Sequence, residues 1–109
     1  MQLLDQAGVF SAPEDGRNRH WVEHLRTTDL SVGTYSVPLD GQDEQTPHTE
    51  DEIYVVVTGR GTFWTPEQSV AIGPGSVIFV PALEEHRFIE LTEPLTVLVV
   101  FAPAEGTRE

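Results

Sequence analysis

Residues 43–61, DEQTPHTEDEIYVVVTGRG, constrain this chain more than any other stretch. An acidic loop runs there into an apolar, β-branched segment that a Gly-Arg-Gly turn ends. Ile, Tyr and three Val in succession favour an extended strand over a helix. Side chains on a strand alternate between faces, which puts Glu52, Tyr54, Val56 and Thr58 on one side. A carboxylate thus leads that side, and His48 stands four residues ahead of it. Residues 75–90, GSVIFVPALEEHRFIE, answer with an apolar strand, a Pro-bounded turn and a second strand that opens at His86. By the same alternation Phe88 and Glu90 share a face with His86. Two histidines and one glutamate therefore stand at strand mouths, a two-His-one-carboxylate set of the kind that binds non-haem iron and related divalent ions. Imidazole nitrogen and carboxylate oxygen suit Fe(II), Mn(II), Ni(II), Co(II) or Zn(II), and no sulfur is present to choose among them.

Plainer readings compete. A lone histidine beside acids is usually solvated, and a run such as Glu50-Asp51-Glu52 commonly marks a loop that keeps a protein soluble. Within the metal reading Glu50 is the substitute carboxylate, and the Gln45 amide oxygen reaches an ion only if its loop curls back. His20 and His24, among Arg19, Glu23 and Arg26, read as surface residues. Trp21, Tyr35, Tyr54, Phe63, Trp64, Phe79, Phe88 and Phe101 read as core. Tyr54 and Phe88, which alternate in phase with Glu52 and His86, are the candidates to line a pocket. Glu90 is the candidate catalytic acid or base, against a plain surface carboxylate beside Arg87.

At these residues the chain resembles the cupin family, whose first motif reads roughly Gly, five residues, His-x-His, three or four residues, Glu, six residues, Gly. His48, Glu52 and Gly59 match its second half, and Gly75, Pro81 and His86 fall in register with the second motif. Thr46 stands where the first motif has another histidine, Leu83 where the second has a turn glycine, and Glu90 where it has an asparagine. The resemblance implies an all-β jelly roll, the double-stranded β-helix barrel, with one divalent metal ion on His48, Glu52 and His86. It also places Thr46 beside the ion, where a hydroxyl is a poor ligand and bonds water or substrate instead, leaving a coordination position open. Enzymes, sensors and storage proteins share that architecture. The expected function is a metal-dependent enzyme acting on a small organic molecule, of dioxygenase, isomerase or cyclase type. A non-catalytic module that binds or senses a small ligand or metal is the alternative.

Turn signals elsewhere divide the chain into strands at 20–26, 30–37, 53–57, 61–65, 68–72, 76–80, 86–91 and 95–101, with 58–60 read as a hairpin turn. At 109 residues the chain makes one domain: an N-terminal strand and loop at 1–19, a barrel at 20–101 and a polar tail at 102–109. Eighteen acids against six arginines and no lysine give a charge of -12, which argues against nucleic acid or an anionic membrane as partner and leaves a small-molecule ligand. Cysteine is absent, so disulfides and thiolate metal sites are excluded. No run reaches the ~18 apolar residues of a membrane span, and the first residues lack the pattern of a signal peptide, so a cytoplasmic protein is expected. A core this small buries only about 65% of the unfolded surface. With the unbroken apolar run LTVLVVF at 95–101, it points to a homodimer.

Overall fold

The computed structural model describes residues 1–14, 17, 19–41, 43 and 47–107. Eight strands run through them: β1 His20–Arg26, β2 Ser31–Val37, β3 Asp51–Thr58, β4 Gly61–Trp64, β5 Ser69–Ile72, β6 Val77–Val80, β7 Arg87–Ile89 and β8 Leu95–Ala102. They build an antiparallel five-stranded sheet in the order β1-β2-β8-β3-β6 and a three-stranded sheet in the order β5-β4-β7. The fold is the all-β jelly roll expected from the sequence.

Strand β8 lies at the centre of the larger sheet, which explains why it is apolar on both faces. Its residues Leu95, Val97, Val99 and Phe101 point inward and are buried, while Leu98 and Val100 are half-buried on the outer face. Register carries that inner face across the sheet: Tyr35 pairs with Val97, Val97 with Val56, and Val99 with Tyr54. Phe63 and Phe88, paired across β4 and β7, close the core from the smaller sheet, with ring centroids 5.8 and 5.1 Å from that of Tyr54.

Several expectations are corrected. Residues 58–60 are not a hairpin turn, because β3 and β4 belong to different sheets. The chain crosses between sheets at Gly59, whose φ of +99° and close approach to the Pro94 carbonyl leave no room for a Cβ. Thr58 does not share the inner face: the register slips between Val56 and Thr58, and Thr58 is exposed. Phe79 is not core but 59% exposed on the outer side of β6. Trp21, 36% exposed, lies over Gly33, where any side chain would strike its ring. The described part of 1–19 forms a turn at residues 5–8 and no strand. It crosses the outer face of β2, with Gly8 N–H donating to Thr34 Oγ1 at 2.9 Å and Ser11 N–H to Ser36 Oγ at 3.1 Å. The C-terminal residues fold back: Ala104 is fully buried, and Glu105 N–H donates to Ser31 Oγ at 3.0 Å.

Leu83 and Glu90, two of the departures from the cupin motif, are also the two non-glycine residues with positive φ among those described, at 70° and 53°. Glycine and asparagine, the residue types the motif has there, tolerate that left-handed region, whereas other side chains lose roughly 1–2 kcal/mol in it. Leu83→Gly and Glu90→Asn should each therefore stabilise the protein by about 1 kcal/mol, partly offset at Leu83 by the greater freedom of an unfolded glycine. Urea midpoints at or below wild type for both variants would contradict this account.

Candidate metal centre

The centre sits where the two sheets meet. β3 presents Glu52 on its inner face, in register with Phe101 of β8 and Val80 of β6. His86 ends the turn before β7, and His48 comes from the loop before β3. One ligand atom from each of His48, Glu52 and His86 lies within 4.8 Å of the others. Glu52 and His86 are each 2% exposed and His48 is half-buried. The loops are tied together as well, since His48 C=O accepts from Leu83 N–H at 2.7 Å.

Hydrogen bonding fixes the state of His86. A carbonyl only accepts, so the 2.7 Å contact of Nδ1 with Glu84 C=O puts a proton on Nδ1. Nε2 then faces Glu52 Oε1 at 3.1 Å and the Tyr54 hydroxyl at 3.0 Å. A lone pair and a carboxylate oxygen do not sit that close without positive charge between them, carried by a proton or by a metal ion. The other oxygen of Glu52, Oε2, is buried and has no hydrogen-bond partner among the described residues. An orphaned buried carboxylate oxygen costs several kcal/mol by the usual scale, and a cation held between Glu52 and the imidazoles would satisfy it. The donor set fits a divalent first-row ion, and the Glu84 carbonyl would supply the outer contact that orients His86 as a ligand.

Around this set the structure separates the remaining candidates. Tyr54 is buried beside it, with its ring centroid 5.8 Å from that of His86, and Phe88 is buried one ring further in, 5.1 Å from Tyr54. Glu50, in the bend before β3, is buried and accepts from Thr49 Oγ1 at 2.6 Å, but it is not within the cluster of ligand atoms. Glu90 leaves the inner face, because β7 ends at Ile89 and the left-handed turn exposes its carboxylate, which accepts from Thr62 Oγ1 at 3.4 Å. Gln45 and Thr46 lie outside the described residues. His24 bonds Thr34 Oγ1 at 2.6 Å on the far side of the larger sheet, away from the centre.

Two acids that the sequence reading gave no role shape the site. Asp43 is buried, accepts from the Tyr35 hydroxyl at 2.5 Å and from Phe88 N–H at 2.6 Å, and so pins the loop before β3 to both sheets. A buried aspartate in a Gly- and Gln-containing loop carries no sequence signal that separates it from a solvated one. Glu105 brings Oε2 to 3.6 Å from His48 Nδ1. Burial pushes its carboxyl above the ordinary value, the charge of His48 opposes this, and Glu23 adds to it.

A double-stranded β-helix with imidazole and carboxylate side chains gathered between its sheets defines a class of protein, and the sequence agrees: it matches the cupin domain family over residues 27–101. The chain belongs to the cupin family. An uncharacterized protein of Streptomyces coelicolor is 38% identical over 103 residues, covering 94% of this chain and 95% of that protein. An uncharacterized conserved protein with a double-stranded β-helix domain from Klebsiella pneumoniae superposes with a TM-score of 0.78 at 16% identity, covering 100% of this chain and 92% of that one. A chain from the structures of the DMSP lyases RdDddP and RnDddQII gives a TM-score of 0.70 at 27% identity, over 83% of this chain and 48% of that one. No helix of the described residues is long and apolar enough to cross a membrane.

The His86 pairing makes a prediction for the metal-free protein. Burial alone would lower its pKa, but the bond to Glu52, the Glu84 carbonyl and the charges of Glu52 and Asp43 outweigh burial and raise it above 6.5. A group whose folded pKa is raised contributes stability that is complete below its unfolded value and lost as pH rises through the folded value. The urea midpoint of the metal-free protein, measured relative to His86→Asn, should therefore fall as pH rises from about 6 towards 9. A difference that stays flat over that range would remove the Glu52 contact as a source of stability.

Proposed function

We propose that this cupin is a metal-dependent enzyme acting on a small organic molecule, with His48, Glu52 and His86 holding one divalent ion of the Fe, Mn, Ni, Co or Zn group. The orphaned Oε2 of Glu52 carries this reading, because the oxygen is buried without a partner among the described residues and a cation shared with the two imidazoles would satisfy it. When bound, such an ion supplies Lewis acidity to an oxygen of the substrate or of water. Tyr54 would form the wall beside it, backed by Phe88, and the Tyr54 hydroxyl, 3.0 Å from His86 Nε2, would offer a hydrogen bond to a substrate oxygen. Phe101, edge-on to His48 with centroids 4.9 Å apart, keeps that side of the site apolar. The structural likeness to lyases supports an enzyme over a passive binder.

Protein purified without a histidine tag from medium containing all five metals should carry close to one equivalent of ion by elemental analysis, and Glu52→Gln and His86→Ala should lose it with the fold intact by circular dichroism. The metal-loaded protein should turn over a member of a small-molecule library, and His86→Ala should not. Wild-type metal content no higher than that of His86→Ala would overturn the assignment. A folded state that collapses on chelation would make the ion a structural staple and sink the enzymatic reading.

For assembly we infer a homodimer through the outer face of the larger sheet. Register lines up two apolar rows there: Val32, Val100, Ile53 and Phe79 in one, and Leu98, Val55 and Val77 in the other. Val77 and Phe79 are 64% and 59% exposed on an edge strand. Copies that each carry a charge of -12 repel except where charge is absent, and these rows hold none. Sedimentation should show a species of about twice 12.1 kDa at micromolar concentration, and Phe79→Glu should convert it to monomer. A wild-type protein that sediments only at 12.1 kDa would exclude the interface.

A further inference from the structure

We propose that Glu105, from the C-terminal turn, is a positioning residue for His48: its carboxylate holds the proton on Nδ1 and so turns the Nε2 lone pair towards the ion. This rests on the metal reading above. The two histidines of the centre face the same chemical requirement. An imidazole ligates through one nitrogen only if the other keeps the proton, and an acceptor on that other nitrogen selects the tautomer, aims the ring and raises its basicity. For His86 the acceptor is the Glu84 carbonyl, 2.7 Å from Nδ1. For His48 a carboxylate lies on the Nδ1 side, Glu105 Oε2 at 3.6 Å, an ion-pair separation just beyond hydrogen-bond range.

The turn that carries Glu105 is built to hold it there. Ala104 is fully buried, its carbonyl accepts from Thr107 N–H at 3.1 Å and Thr107 Oγ1 at 2.7 Å, and Glu105 N–H donates to Ser31 Oγ. Arg26 Nη1 donates to the Glu105 carbonyl at 2.9 Å, while its other nitrogens are taken by Glu23. Glu105 is thus fixed through its backbone and keeps its carboxylate for His48. The Phe101 ring, edge-on to His48, restricts the imidazole on another side. His48 needs this more than His86 does, because it stands three residues ahead of its strand, whereas His86 directly precedes β7.

The test compares wild type with Glu105→Ala and Glu105→Gln, loading Zn(II) or Co(II) against a chromophoric chelator, with folding checked by circular dichroism. Glu105→Ala should weaken the ion by about 10–100-fold. Glu105→Gln, which keeps an acceptor oxygen without the charge, should weaken it by roughly threefold or more. Long-range proton–nitrogen NMR of the zinc-loaded protein should show His48 protonated at Nδ1 in wild type and in tautomer exchange in Glu105→Ala, a change that a merely structural role would not produce. If Glu105→Ala fails to fold, the Gln variant carries both readouts. Unchanged affinity and an unchanged His48 tautomer in the folded variants overturn the role of Glu105, while loss of the ion from Glu52→Gln and His86→Ala keeps the metal centre. If those two variants still bind the ion like wild type, the centre itself is wrong and the Glu105 proposal falls with it.

Discussion

The contact of Glu52 with His86 is the one on which the rest of the molecule depends, because it joins the two sheets at their buried mouth. Glu52 belongs to the larger sheet and His86 leads into the smaller one, so the pair acts as a polar clasp at one end of a core that is otherwise aromatic and aliphatic. Phe63 stacks against the His86 ring with centroids 5.9 Å apart, Tyr54 meets it from β3, and Asp43 locks Phe88 and Tyr35 just beneath. Breaking a buried pair of this kind by removing one partner leaves the other charge uncompensated, a loss of roughly 3–5 kcal/mol in general. What the arrangement requires is positive charge between Glu52 Oε1 and His86 Nε2. Fold and chemistry therefore share one electrostatic requirement.

Much of this was legible in the sequence because alternation is a strong local rule. It places Glu52, Tyr54 and Val56 together on the inner face of β3 and His86, just ahead of β7, with Phe88, and all five are buried. The rule fails where the strand geometry fails. The register slip after Val56 turns Thr58 outward, and the left-handed turn after Ile89 does the same to Glu90. It also cannot say which sheet a strand enters, so the turn at Gly59 looks like a hairpin locally and is a crossing between sheets. Phe79 shows the opposite failure: its type suggests the core, while its parity along β6 puts it on the outer face.

Contacts made by distant segments left no trace of that kind. Asp43 and Glu105 look in the sequence like two of many acids in a chain rich in them. What sets them apart is tertiary: one is enclosed between Tyr35 and the Phe88 amide, the other is carried back to His48 by a turn whose anchor is Ala104. The polar composition of residues 102–109 suggests a solvated tail, yet the buried Ala104 side chain, the Ser31 hydroxyl and the Arg26 guanidinium dock its first half.

The departures from the cupin motif bear on how the centre is held. Leu83 adopts a backbone conformation that suits glycine, and its N–H is the donor to the His48 carbonyl. The strained turn is therefore the one that fixes the ligand loop, which is where backbone strain concentrates in proteins that use it. Electrostatics work in the same direction. Glu23, Glu50 and Glu105 all act on the same region as His48, with Arg26 the cation set among them and already engaged by Glu23. Such a field raises the local concentration of cations and opposes anions, and it acts beside the point where the Glu52 carboxylate and the two imidazoles converge.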